Sequence, residues 1–399
     1  MTKQLLRAMA PYLAASSLVA SGLGCSSSSD PSGEQSAAGA AAQAGIASGG
    51  QSAGTAGGKP GAGGSGGEAD SASGAAGASE ASSAGAGPAT TVGDYALAST
   101  GRGNCALDSA GTIHCWGYAP DPWTIPSGPF VELHGSVDFV CALRADHTVA
   151  CFDAPAPNSI SGTADLVPQG KVQPLSLSLS RGSVCGVDDA DTAFCISKWG
   201  GVNMPPDGIA QISAGFSFAC GIGAEGKLAC WGGSGGPDGD ACTIPATRQL
   251  AAPNGSYTAI ASSYYSSCAI GKDGAVACWG AGKPADDPAA LCAGNRYNFG
   301  QATPAAGSFR SLSLGNNHAC GIKTNGTIAC WGAGTTVATD CPGTDDECGQ
   351  SKPPTGSFIQ VSVGTRHSCA MTAERKIQCW GYPGADMGDG RLVPPDEFQ

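Results

Sequence analysis

The residues best equipped for chemistry in this 399-residue chain are its 19 cysteines. A thiolate can hold a soft metal, act as a nucleophile or pair with another thiol. Fourteen of them fall into seven pairs with a constant spacing of ten: Cys105/Cys115, Cys141/Cys151, Cys185/Cys195, Cys220/Cys230, Cys268/Cys278, Cys320/Cys330 and Cys369/Cys379. Structural zinc sites use close C-x₂₋₄-C pairs, two per ion, so this spacing does not describe a metal site. Five histidines are present. His318 and His367 stand two residues before a first Cys and admit two readings: a polar ring around a channel mouth, or hydrogen-bonded structural residues. His114, His134 and His147 are scattered, and no Ser, His and acid form a recognisable nucleophile motif. Acids gather in "GPDGDAC" (Asp238, Asp240), "ADDP" (Asp286, Asp287) and "TDDEC" (Asp345, Asp346, Glu347). Asp345 and Asp346 are kept as candidate binding residues, although the spacing matches no Ca²⁺ loop. No catalytic residue, metal or cofactor is expected.

The elements that place these cysteines follow from the residues between them. The position after the first Cys is always Ala or Gly. Aliphatics or Met then recur two places after it (Leu107, Leu143, Val187, Ile222, Ile270, Ile322, Met371). Eight after it stands an aliphatic or Ala, from Ile113 to Ile377. This alternation predicts two short strands. The loops "SAG", "AEG", "KDG" and "TNG" between them have three residues and end in Gly, the signature of a type I turn with a Gly bulge. Where Gly is missing, His147, Asp191 and Arg375 must take the positive φ, Arg375 least comfortably. Such a turn sets the two cysteines directly opposite each other, within disulfide range, and closing so short a loop stabilises by roughly 2–3 kcal/mol. The small residues beside each Cys are expected to let neighbouring sheets approach. Cys242, Cys292, Cys341 and Cys348 lie in loops; of three possible pairings, Cys341–Cys348 with Cys242–Cys292 is preferred, and sequence cannot choose.

Residues 1–24 combine Lys3, Arg7 and a short apolar run, which predicts a secretion signal. Small residues leading into Cys25 resemble a bacterial lipoprotein signal, in which that Cys is lipidated; Leu23 and Gly22 depart from its usual pattern. The alternative is ordinary secretion. By the same resemblance, Ser26 points to the outer membrane. Residues 25–92, rich in Gly, Ala and Ser, cannot bury enough apolar surface to offset ordering and read as a disordered tether with an r.m.s. span of roughly 45 Å. Without residues 1–24 the chain has 32 acids against 18 bases, a net of −14. That balance argues against nucleic acid as a partner and against electrostatic adhesion to a membrane, leaving the lipid as the only membrane contact.

Residues 93–399 hold the seven units, 35 to 52 residues apart, a spacing suited to propeller blades or solenoid repeats. Each has a further strand-like run before the pair ("FRSLSLG", "FIQVSVG", "IAQISAG"), and most have "WG" after it. Trp116, Trp231, Trp279, Trp331 and Trp380 could stack a ligand, but their fixed place at a strand end reads as packing between blades. The units "SFRSLSLGNNHACGIKTNGTIACWG" and "SFIQVSVGTRHSCAMTAERKIQCWG" resemble the regulator-of-chromosome-condensation repeat. Blades two and three depart, with "CFD" and "CISKWG". The resemblance implies an all-β, seven-bladed β-propeller, here with one cross-strand disulfide per blade. The terminal "PPDEFQ" echoes "PPTGSFIQ" and is expected to close the ring against blade one.

The function expected is that of a monomeric, non-catalytic scaffold, exported and tethered at the envelope, that binds another protein through variable loops. One alternative is an enzyme inhibitor, since similar propellers inhibit β-lactamase. Another is a propeller lyase or hydrolase with a channel-mouth His. A third, by family resemblance alone, is nucleotide exchange on a small GTPase.

Overall fold

A computed structural model describes residues 96–117, 123–154, 166–168, 170–197, 205–232, 250–282, 299–335, 348–383 and 390–399. Cys25, Cys242, Cys292, Cys341, Asp345 and Asp346 lie outside these residues, as do the signal and tether at 1–92. Cys348 is described and buried, while its preferred partner Cys341 is not described.

The described residues form seven three-stranded antiparallel sheets, each built from strands consecutive in the chain. Blade six is typical: Phe309–Leu314, His318–Lys323 and Ile328–Gly332, paired in that order. The first strands of the blades are Leu97–Ser99, Glu132–Gly135, Ser178–Ser180, Gln211–Ala214, Tyr257–Ser262, Phe309–Leu314 and Gln360–Val363. Each touches the first strand of the next blade, and Leu97–Ser99 touches Gln360–Val363. The first strands therefore make a closed inner ring, and the chain is a seven-bladed β-propeller.

The hairpins form as the sequence dictates. In every blade the paired cysteines are direct cross-strand partners. Their disulfides are Cys105–Cys115, Cys141–Cys151, Cys185–Cys195, Cys220–Cys230, Cys268–Cys278, Cys320–Cys330 and Cys369–Cys379, with Cα atoms 4.0–4.1 Å apart. This is closer than the roughly 4.5–5.5 Å expected of opposed strand residues. The turn explains the choice of site. In blade one Asp108 donates its N–H to the Thr112 carbonyl. Counting back from that hydrogen-bonded pair, Cys105 and Cys115 fall at a non-hydrogen-bonded position, the narrower kind.

The two halves of each bridge differ in setting, which the even spacing of the pairs does not reveal. The middle-strand cysteines, from Cys105 to Cys369, are fully buried. Their partners Cys115, Cys151, Cys195, Cys230, Cys278, Cys330 and Cys379 are only half-buried. The cause is topological: these partners stand on the outer strand of each blade, a sheet edge that pairs on one side only.

His147, Asp191 and Arg375 take φ of 70°, 60° and 63° where other blades have Gly. Gly111 shows why the turn is constrained in space as well: a Cβ there would come within 2.5 Å of the Phe130 carbonyl oxygen. The turn grips the next blade in return, since Phe130, Phe309 and Phe358 donate their N–H groups to the carbonyls of Gly111, Gly274 and Gly326.

One expectation needs correction. The small residue after the first Cys makes room for its own blade, not for a neighbouring sheet. A Cβ on Gly321 would meet Phe309 at 2.6 Å, and one on Gly221 would meet Ile209 at 2.6 Å. In blades four and six the side chain that enters the blade folds over the hairpin and occupies that space, and in blade three the outer-strand Phe194 does.

The seams between blades are apolar, with a hydrogen bond at a fixed register. Opposite the first Cys, four first strands carry Ser178, Ser213, Ser313 and Ser362. Their hydroxyls accept the N–H groups of Ala214, Ser262, Val363 and Ser99, each in the following blade. A buried strand N–H with no partner would cost about 1–3 kcal/mol, so each serine ties two blades together.

Closure uses a recurring segment that strand periodicity does not flag. "GQATP" at 300–304 and "GQSKP" at 349–353 end the loops leading into blades six and seven. Both glycines take positive φ, the glutamines are fully buried, and the Gln301 and Gln350 carbonyls accept the indole N–H of Trp331 and Trp380. "GRLVP" at 390–394 is the same device: Gly390 has φ 70°, and the Arg391 carbonyl accepts from Trp116 at 3.1 Å. Residues 390–399 thus supply the lead-in of blade one. Phe398 is buried beside blades one and seven, stacked on Trp116 with centroids 6.5 Å apart. The echo of "PPTGSF" in "PPDEFQ" marks this shared role.

Candidate functional site

The register fixes which end of the ring carries the variable segments. Each middle strand starts opposite the end of its outer strand, for example Gly103 opposite Gly117, His318 opposite Gly332 and His367 opposite Gly381. The short connections from first to middle strands therefore share one face with all seven exits after the outer strands. The three-residue hairpin turns lie on the opposite face.

On the exit face the inner ring opens into a cavity of about 60 Å³, bounded by all seven blades: Thr100, Ser136, Arg181, Ala214, Tyr264, Asn316 and Thr365 come one from each. Arg181 of blade three is its only described cationic side chain. Its Nε donates to Asp138 Oδ2 of blade two at 3.1 Å, and Nη1 donates to the Tyr264 hydroxyl of blade five at 2.7 Å. The Tyr264 ring stacks on Phe216 of blade four, 4.5 Å between centroids and 18° from parallel. Four consecutive blades are joined at the mouth by one ionic and aromatic group. Burial pushes the Asp138 carboxyl above its ordinary range, and the Arg181 guanidinium pulls it back only in part. For Arg181, burial disfavours the charge, but the Tyr264 and Asp138 contacts outweigh it and hold the group protonated.

His318 and His367 do not reach this mouth. Both are fully buried at seams: His318 Nε2 lies 2.8 Å from Ser368 Oγ, and His367 Nε2 lies 2.9 Å from Asn104 Oδ1. The same register position holds Phe139 in blade two and Phe218 in blade four, also fully buried. A position that accepts Phe or His with equal burial is a packing position. Desolvation lowers both imidazoles to about 3, so they are neutral across ordinary pH.

The remaining histidines are each set against carboxylates. His114 lies between Asp108 at 3.0 Å and Glu397 at 2.6 Å, which joins the lead-in of blade one to its hairpin. His147 meets Asp189 of blade three at 2.8 Å. His134 meets Glu132 at 3.2 Å, both buried, and Glu132 also accepts the N–H of Leu175. Leu175 itself stands at φ 62°. Among the described residues no three His, Cys, Asp or Glu side chains converge as metal ligands would. Trp116, Trp231, Trp279 and Trp331 are buried against blade residues, with Trp231 beside Cys185 of blade three and Trp331 beside Cys268 and Ile270 of blade five. They are seam residues, not a stacking ring.

Residues 309–335 and 358–385 match the family model described as the regulator of chromosome condensation repeat. The chain carries regulator-of-chromosome-condensation repeats. The two matched segments are blades six and seven, and the other blades share their strand order, register and disulfide. Solved structures of similar fold include two with modest sequence likeness. The ectodomain of the receptor kinase CR4 from Physcomitrella patens is 20% identical, with a TM-score of 0.50 and 72% of each chain covered. Prp20p from Saccharomyces cerevisiae, described together with its binding to Gsp1p and histones, is 18% identical, with a TM-score of 0.51 over 73% of this chain and 83% of that one. At such identity the likeness concerns the fold. No curated protein matches the chain.

Proposed function

We propose that the chain is a non-catalytic, envelope-tethered repeat propeller that binds another protein through the seven segments leaving its outer strands. One observation carries the reading. The register directs every exit, from Gly117 to Gly381, to the single face that also holds the channel mouth. A rigid scaffold from which every variable segment departs on one face has the build of a recognition surface. Seven disulfides suit an oxidising compartment, which fits export. Lipidation of Cys25 and a flexible stretch over 25–92 would hold the propeller at the outer membrane while letting it sample partners.

Two measurements test the reading separately. Metabolic labelling with palmitate is expected to mark the wild-type chain and not Cys25→Ala. Capture from envelope extracts with the oxidised protein is expected to enrich one defined protein. The enrichment should vanish when the segments 233–249 and 283–298 are replaced by Gly/Ser and survive substitutions in the hairpin turns of the opposite face. Capture indifferent to the exit segments would refute loop-borne recognition.

A further inference from the structure

The guanidinium at the channel mouth has capacity that the scaffold does not use. A guanidinium offers five N–H donors in a rigid planar fork. Two of those on Arg181 go to Asp138 and Tyr264, and the other three have no partner among the described residues. The side chain is 37% exposed and lines the mouth. Its orientation is fixed from two sides, because Asp138 is almost fully buried and the Tyr264 ring is held flat on Phe216. Asn316 and Thr365 line the same cavity from blades six and seven. The Thr365 hydroxyl is sealed from solvent and has no hydrogen-bond partner. Sealed in this way, that hydroxyl does not face the open cavity.

We infer that the channel mouth is a carboxylate receptor in which Arg181 is the charged donor and Asn316 a neutral one. Charge and size select this class. One guanidinium, already half-compensated by Asp138, suits a monoanion better than a phosphate dianion. Its planar fork matches the two oxygens of a carboxylate. A cavity of about 60 Å³ admits the carboxylate and its first carbons. The carboxylate could belong to a small free acid or to an acidic side chain of a docked protein. The inference does not rest on recognition by the exit segments, because every residue in it belongs to the scaffold.

The test follows the Arg181 Nε–Hε signal by ¹⁵N NMR on the full-length oxidised chain, assigned by its loss in Arg181→Lys. Acetate is expected to shift that signal saturably, and acetamide, a neutral isostere, is expected to leave it in place. In Arg181→Gln, acetate affinity read from neighbouring backbone amides should fall roughly 10- to 100-fold, the range for losing a charge-assisted hydrogen bond. Asn316→Ala should weaken acetate by roughly 3- to 10-fold, whereas Thr365→Val, which removes a hydroxyl sealed from the cavity, should leave acetate affinity unchanged. A capped peptide carrying one Glu distinguishes the sources: tighter binding than acetate indicates a protein carboxylate, and exclusion of the peptide indicates a free acid. A flat acetate titration of the wild type, or equal shifts with acetamide, overturns the inference even if Arg181→Gln fails to fold.

Discussion

Nε2 of His318 in blade six lies 2.8 Å from the hydroxyl of Ser368 in blade seven, with both side chains closed to solvent. One seam further on, His367 makes the same kind of contact with Asn104 of blade one. Burial holds both imidazoles neutral, near 3 instead of 6.5. The unfolded chain takes up two protons as pH falls through 6.5, and the native ring refuses them until about 3. Stability from this pair is therefore complete above about pH 7 and is lost progressively between about 6.5 and 3, by several kcal/mol in total. Urea midpoints at about pH 7.5, 5.5 and 4 should show it. The double variant His318→Phe/His367→Phe, which copies Phe139 and Phe218, should lose less stability over that range; an equal loss would contradict the assignment.

The disulfide of each hairpin should contribute locally. Replacing Cys320 and Cys330 by Ser is expected to lower stability by about 2–3 kcal/mol, the loop-entropy value for so short a closure, while blades one to four keep their hydrogen-exchange protection. Protection lost around the whole ring would mean that one hairpin's staple controls the cooperative unit.

Phe398 is expected to matter far more than its place near residue 399 suggests. Phe398→Ala removes a side chain buried at 2% exposure against Trp116, and should cost about 3–5 kcal/mol with a red shift of tryptophan emission. Val393, 63% exposed in the same segment, is the control: Val393→Ala should stay within about 0.5 kcal/mol of wild type.

Two residues at positive φ should respond in opposite directions to the same substitution. Asp191→Gly relieves about 1 kcal/mol of left-handed strain and gives up only an exposed hydrogen bond from Gln173, so it should be neutral to slightly stabilising. Arg375→Gly relieves similar strain, but Arg375 Nη2 donates to the carbonyls of Leu107 and Asp108 in blade one. It should destabilise by about 1–2 kcal/mol, since the ring loses a tie between its first and last blades. Thermal melts of the two variants decide the matter.

The seven hairpins were open to reading because their information is local. A ten-residue spacing, a turn glycine and alternating aliphatics fix the register within one unit, and the positive φ of His147, Asp191 and Arg375 followed from alignment with glycines. The uneven burial across each bridge, as between Cys369 and Cys379, needed the sheet edge to be known. The mouth was not open in the same way. Asp138 and Tyr264 stand 43 and 83 residues from Arg181, and only ring geometry brings them together. Periodicity carries no signal for such a meeting. His318 and His367 fall between these cases. Their shared place two residues before a first Cys is plain in the sequence, while their burial and the identities of Ser368 and Asn104 as partners needed the neighbouring blade. The G-[QR]-x-x-P lead-in could have been found, since "GQATP", "GQSKP" and "GRLVP" stand in line with the blades they enter.

The lead-in of blade one also sets an order of events. Asn104 and Trp116 both rest on the carbonyl of Arg391, which follows Asn104 by 287 residues. On a growing chain, blade one is synthesised first among the seven, yet its indole and amide stay in water until residues 390–399 arrive. The six later blades can stack in sequence while the first has its three strands but lacks its lead-in. A chain interrupted before Arg391 keeps the strands that join blades one and seven but leaves the Asn104 amide and the Trp116 indole without the carbonyl they rest on.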